Sequence, residues 1–310
     1  MEPGHGRVAA PNNPAPGLSP LRGTFVGRQR EMGELKAVLD DAMAGQGRLA
    51  MLVGEPGIGK TRTAQELASY AESLGALVFW GRCYEEKGAP PYSPWLQLLR
   101  SYIQQKAPEQ LQSEMGPGAA DIAEIVPDIR HKLTDLETPP TLEPEQARFR
   151  LFNSITTFLK NAAQSQPLML VLDDLHWADK PSLLLLQYLA REMGGSRLLV
   201  VGTYRDVDIS RQHPLSDTLA QLSREPVFRR EVLRGLSRED TGDFVEVAAG
   251  LRPPPGLVEG IYHQTEGNPF FIGEIIRLLA EQGELTEVDI GESPGIRIPE
   301  GGARGNRAAA

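Results

Sequence analysis

Between the apolar run LAMLV (49–53) and the helically patterned RTAQELASYAESL (62–74) lies GEPGIGKT, residues 54–61. Gly54, Gly59, Lys60 and Thr61 fill the four fixed places of G-x-x-x-x-G-K-[ST], between a strand and a helix as the mechanism requires. Glycines at these places let backbone N–H groups curl around phosphate oxygens while the next helix directs its positive end at them. Lys60 is expected to reach the β- and γ-phosphates and Thr61 to hold Mg2+. The whole stretch Gly54, Glu55, Pro56, Gly57, Ile58, Gly59, Lys60, Thr61 and Arg62 is expected to line the phosphate site.

The surrounding pattern alternates two periods, as a βαβ grammar does. RQREMGELKAVLDDAMA reads as a helix and RLAMLV as a strand. Four more short strands are expected at 76–80 (ALVFW), 168–174 (LMLVLDD), 197–204 (RLLVVGTY) and, less sharply bounded, 230–235 (REVLRG). Together they predict a five-stranded parallel sheet. A helical excursion at about 90–165 interrupts it, carried by PPYSPWLQLLRSYIQQ, AADIAEIVPDIRHKL and PEQARFRLFNSITTFLKNA.

A phosphate site of this kind needs a metal partner, and LMLVLDDLHWAD supplies a buried strand ending in two carboxylates. Asp173 is expected to hold Mg2+ through water, and Asp174 to orient or deprotonate an attacking water. In the same segment Trp177 reads as a packing residue and His176 as a structural donor. The strand ending GTYRD places Arg205 at the carboxyl edge of the sheet, where ligands of open α/β folds collect, as a candidate γ-phosphate sensor.

Charge and composition narrow the partners. The net charge of −9 gives no basic field for a polyanion, so direct nucleic-acid binding by this chain alone is not expected. The single cysteine, Cys83, excludes an internal disulfide framework. The first twenty residues carry no apolar segment of signal-peptide type, and LMLVL and SLLLLQYLA are far shorter than the roughly 18 residues a membrane span needs. A cytoplasmic protein without membrane contact is the expectation. Residues 1–23, with five prolines and four glycines, read as a disordered leader. Near the other end, Ser237 and Asp240 form an S-x-x-D capping box, and Asn268-Pro269 opens another helical pattern, so 236–283 reads as a small helical lid with 284–310 an irregular tail.

FVGRQREMGEL, GEPGIGKT, VLDDLHWAD, GTYR and EGNPFF, in this order, resemble the Orc1-like AAA ATPase module of STAND regulators. These signal-transducing ATPases include large LuxR-type transcriptional regulators and cyclase-linked ATPases. The resemblance covers roughly residues 24–300. It implies an α/β fold of the P-loop NTPase class, ASCE/AAA-like, with helices on both faces of the sheet and a small C-terminal helical lid. ATP or ADP with Mg2+ would sit between core (24–235) and lid. Val26, Gly27 and Arg28 are implied as base-side contacts, and Pro269 as a lid contact. Gln29 departs from the Glu usual after that Arg, although Glu31 follows two places later.

The implied function is a nucleotide-dependent signalling switch with slow hydrolysis, with a homo-oligomer in the ATP state among the expected partners. A stand-alone ATP-hydrolysing enzyme and a DNA-associated AAA ATPase are the alternatives. No N-K-x-D guanine-reading motif is present, and the segment after 284 is too short and acidic for a winged helix. The tail IPEGGARGNRAAA stops where relatives continue with a helix resembling IPEGVRxxIxRRL. One back-translation of this tail, read one base out of step, spells VRGAIGRRL, so residues from about Gly302 are expected to be a frameshifted end on a truncated regulator.

Overall fold

Strand β1 (Arg48–Val53) is buried along its length except at Arg48. Its side chains alternate between two cores, as a strand covered on both faces must. Leu49, Met51 and Val53 enter one core, Ala50 and Leu52 the other. The structure, a computed structural model, describes residues 25–85, 90–134, 136–210, 212–250 and 252–282. The expected leader, the tail after 284 and its frameshift lie outside the described residues.

Helix α1 (Gln29–Met43) precedes β1, and α2 (Lys60–Ser73) follows it. Both cover the face that receives Ala50 and Leu52, through Leu35, Leu39, Ala64 and Leu67. Strand β2 (Leu77–Arg82) leads into five helices before the sheet resumes: α3 (Ser93–Gln105), α4 (Pro108–Met115), α5 (Ala119–Ala123), α6 (Asp128–Lys132) and α7 (Pro144–Ser165). Then come β3 (Leu168–Asp173), α8 (Lys180–Glu192), β4 (Leu198–Tyr204), α9 (Pro214–Leu222) and β5 (Phe228–Val232). The α3–α9 helices build the second core, with Trp95, Phe158, Leu185 and Leu215 among its buried side chains.

The five strands are parallel in the order β2-β3-β4-β1-β5. Because all five strands run the same way, the turn after β1, the turn after β4 and the carboxylates at the end of β3 open at one sheet edge, and the order places β4 between β1 and β3.

Two expectations are corrected and one helix is added. The last strand spans 228–232 rather than 230–235: Phe228 pairs with Leu49, and past Val232 the chain turns so that Leu233 N–H still bonds to the Val53 carbonyl while the strand ends. AADIAEIVPDIRHKL is two short helices, broken where Pro127 removes a backbone donor. PEQLQSEM, unassigned from sequence, is α4. Lys132 finishes the excursion by donating to the carbonyls of Ile103, Gln104 and Lys106 at the end of α3.

Contacts divide the chain into two units, one of them Arg28–Arg234. The other holds α10 (Arg238–Ala249), α11 (Pro255–Thr265) and α12 (Pro269–Glu281) around Val245, Ile261, Ile272 and Ile276, with Val26 packed on this core. Ser237 and Asp240 form a reciprocal capping box at the start of α10, and the Asn268 side chain caps α12. Gly27 belongs to this unit as well, its Cα facing the Asp240 carboxylate so closely that a Cβ would stand 2.8 Å from Asp240 Cγ.

Candidate functional site

The turn after β1 needs its glycines for two different reasons. At Gly54 a Cβ would lie 2.6 Å from the Leu233 carbonyl oxygen, so only a residue without one lets β5 approach. Gly59 adopts φ 99°, a left-handed conformation that side chains disfavour, and from it α2 begins at Lys60. The first turn of α2 contains no acidic residue, so nothing on the helix neutralises its positive end. Lys60 is buried, and its ammonium donates to the carbonyls of Gly54 and Glu55, each at 2.9 Å. Burial lowers its pKa, with the charges of Asp174 and Asp173 opposing that shift.

Arg28 braces the same turn from outside. Its guanidinium is buried, donates to the Ile58 carbonyl at 3.0 Å and to Glu31 at 3.2 Å. The side chain implied as a base-side contact is thus directed at the phosphate turn, and Glu31 is its partner. Arg28 itself stands at φ 67°, which turns the chain into α1.

Asp173 ends β3 almost wholly buried and is the hub of the site. Its carboxylate accepts from Thr61 Oγ1 at 3.0 and 3.2 Å, from Thr203 Oγ1 at 2.7 Å and from Arg82 Nη2 at 3.2 Å. A hydroxyl and a carboxylate converging across the helix start and the strand end form the oxygen donor set of a hard cation. Magnesium is bound by one or two carboxylates plus phosphates and waters, so Thr61 and Asp173 fit it. Among the described residues no group of three or more His, Cys, Asp or Glu is placed to hold a metal ion.

Asp174 differs from its neighbour in every respect. It takes φ 60° and ψ 47°, a left-handed bend that in a non-glycine residue costs about 1 kcal/mol. Its amide donates to Thr203 Oγ1 at 2.9 Å, which fixes the bend. Burial first, and the Asp173 charge second, raise its carboxyl above the usual aspartate value. Arg205, beyond β4, makes a 3.7 Å ion pair with Asp208, and its charge is felt at both Lys60 and Asp174.

The structure corrects the reading of His176 as a structural donor. Its side chain is wholly buried, yet neither ring nitrogen has a hydrogen-bond partner among the described residues. Asp179 is the structural residue of this segment, capping α8 through Ser182 and accepting from the Tyr92 amide. Trp177 is partly exposed beside the His176 ring, the centroids 5.0 Å apart. Pro269 occupies the first position of α12 in the other unit.

Three contributors escaped the sequence reading: Arg82, Thr203 and Asp208. Thr203 and Asp208 flank the sensor position and could have been noted once β4 was known to lie against β3. Arg82 carried no local signal.

Residues 24–201, more than half of the chain, match the family model described as AAA ATPase domain. An uncharacterized protein of Rhizobium meliloti is 23% identical over 289 residues, covering 88% of this chain and 27% of its own length. The chain therefore spans about a quarter of that curated relative. Among solved structures it is similar to a signal transduction ATPase with numerous domains (STAND) carrying a tetratricopeptide-repeat sensor, from Pyrococcus horikoshii, with 18% identity, 82% of this chain and 30% of that one covered, and a TM-score of 0.48. It is also similar to RuvB of Thermotoga maritima, with 17% identity, 85% and 66% coverage and a TM-score of 0.45. The strand order, the turn at 54–61 and the paired aspartates give the family match a physical basis: this chain is a member of the AAA ATPase domain family, an ATP-binding NTPase module of the P-loop class.

Proposed function

We propose that the chain is a regulatory ATPase module that binds Mg·ATP at the carboxyl edge of the sheet and signals by the difference between its ATP and ADP states. The observation that carries this reading is the convergence of Thr61 and Asp173 at 3.0 Å, with Arg205 close enough to act on Lys60 and Asp174. Binding and sensing are thereby supplied by separate strands. Bound Mg·ATP supplies the scissile phosphoanhydride and the metal charge that stabilises its cleavage.

Each residue has its own task. Lys60 offsets β- and γ-phosphate charge, and the unopposed N-terminus of α2 adds to it. Thr61 and Asp173 hold the metal, Arg82 giving way on the outer oxygen. Asp174 orients the attacking water and takes its proton; a raised carboxyl pKa suits it to hold one. Arg205 leaves Asp208 for the γ-phosphate and so distinguishes triphosphate from diphosphate. Val26, Gly27 and Pro269 are proposed as contacts on the base side and from the α10–α12 unit.

The wider protein is proposed to be a STAND-class signalling or LuxR-type transcriptional regulator, cytoplasmic, assembling as a homo-oligomer in the ATP state. Calorimetric titration with ATP and ADP, with and without Mg2+, tests the module. The reading expects saturable binding of both, with Mg2+ strengthening ATP; no heat from either nucleotide would refute it. Particle mass in ATP and in ADP tests the oligomer.

A further inference from the structure

A buried imidazole with two unbonded nitrogens is costly, on the order of 1–3 kcal/mol for the donor alone, and native structures rarely keep such a group without a use. His176 sits between two carboxylates. Its Nδ1 lies 3.9 Å from Asp174 Oδ1, and its Nε2 lies 3.7 Å from Asp208 Oδ2. Both gaps are a fraction of an ångström beyond hydrogen-bond length. Asp208 is at the same time the ion-pair partner of Arg205, through that same Oδ2, at 3.7 Å.

The backbone around the ring is fixed. Leu175 is buried in the core, the His176 carbonyl accepts from His213 Nε2 at 3.0 Å, and the Trp177 ring lies alongside. Only the ring has room to choose. Burial and the Arg205 charge press its pKa down to about 4, so at neutral pH it carries one N–H and one lone pair. One proton cannot serve both carboxylates.

We propose that His176 is a positioning residue that directs its single N–H to Asp174 while Arg205 holds Asp208, and to Asp208 once Arg205 has moved to a γ-phosphate. The inference rests on the reading of Arg205 as the triphosphate sensor. While Asp208 is paired with Arg205, its negative charge is already compensated, and Nδ1–H restrains the Asp174 carboxylate. When Arg205 leaves, both carboxylates lose its charge, but Asp174 still faces Lys60 and Arg82 while Asp208 loses its ion-pair partner, so Asp208 becomes the stronger acceptor and the proton resides on Nε2. The lone pair of Nδ1 then faces Asp174. That frees the carboxylate to accept a hydrogen bond from the attacking water. Triphosphate recognition and activation of the water are coupled through one ring, without backbone movement.

The test is nitrogen NMR of the full chain with ring-labelled histidine. The chain has five histidines, and the His176 signals are those missing in His176→Gln. With Mg·ADP the proton should be on Nδ1; with Mg2+ and a non-hydrolysable ATP analogue it should be on Nε2. Asp208→Ala, a substitution at a partly exposed site, should keep the Nδ1–H form in both nucleotides. It should lower the hydrolysis rate about tenfold while ATP affinity stays equal or rises a few-fold, because Arg205 loses its competing partner.

An unchanged tautomer in samples where calorimetry shows the analogue bound would overturn the relay and leave the ATPase reading intact. An analogue that does not bind would overturn both. Loss of ATP affinity in Asp208→Ala, with the rate at saturation preserved, would also contradict it, because Asp208 would then act in binding alone.

Discussion

The turn at 54–61 and the bend at 173–176 face one another across the sheet edge, and they are built on opposite principles. The turn is satisfied by fixed partners: Lys60 bonds to its carbonyls, Arg28 braces Ile58 from outside, and Gly59 takes its left-handed conformation without a side-chain penalty. The bend holds a left-handed non-glycine residue, a carboxyl with a raised pKa and an imidazole whose nitrogens have no hydrogen-bond partner among the described residues. A ready-made cradle suits a ligand that must be gripped in every state. Unsatisfied groups suit a place where charge and protons move during the cycle. On the proposed function the difference separates binding from chemistry, and it can be broken at chosen residues.

The largest effect is expected at Lys60. Lys60→Ala removes the main side-chain partner of the phosphates and should weaken ATP and ADP binding by about a hundredfold or more. Unchanged affinity in calorimetry would remove the phosphate role from the turn. Asp174→Asn should act on the other side of the comparison: Mg·ATP affinity within a few-fold of wild type and hydrolysis down by about a hundredfold. Phosphate-release kinetics beside calorimetry separates the two, and loss of binding would place Asp174 with the cradle. For Arg205→Ala the expected loss is about tenfold in ATP affinity with ADP nearly unaffected. Equal weakening of both nucleotides would make Arg205 a structural residue.

A smaller effect is expected in stability. The folded pKa of His176 is depressed to about 4 from an ordinary value near 6.5, so between those values the unfolded chain binds the proton and the native ring does not. Its contribution is present above pH 6.5 and is lost as pH falls toward 4, on the order of 1–3 kcal/mol. Urea denaturation of wild type and His176→Gln at pH 7.5 and pH 5 should show the variant losing less on acidification. Equal losses would mean the ring is protonated in the native state. The smallest effect belongs to Arg82, whose half-exposed pair with Asp173 is worth about 0–1 kcal/mol. Arg82→Ala should tighten Mg2+ binding in the presence of ADP by up to about fivefold at low salt, and a weakened Mg2+ response would assign Arg82 a supporting role.

How much was legible in the sequence follows the same division. The turn is local: its glycines, lysine and threonine lie within eight consecutive positions, so spacing alone revealed it. Asp173 and Asp174 were legible because an apolar strand runs directly into them. The Thr203 hydroxyl on Asp173 and the Arg82 guanidinium beside it depend on β4 and β2 flanking β3, and no short pattern encodes a strand order. His176 was visible as a residue but not as an orphan, since its state is set by burial and by the charge of Arg205, twenty-nine positions away. Strand β5 was misplaced because an edge strand with exposed Arg229 and Arg230 lacks the continuous apolar run that marked β1, β3 and β4. Helix α8 carries SLLLLQYLA, a stretch the sequence reading used only for its length, and α9 carried no reading at all.

The separation of grip from chemistry is tested most directly by the nucleotide each protein keeps. Wild type and Asp174→Asn are incubated with Mg·ATP, freed of excess nucleotide by gel filtration, denatured, and the released nucleotide is identified by chromatography. The account predicts stoichiometric occupancy in both, ADP from wild type and intact ATP from Asp174→Asn. ADP in equal proportion from the two proteins, or an empty Asp174→Asn, would contradict it.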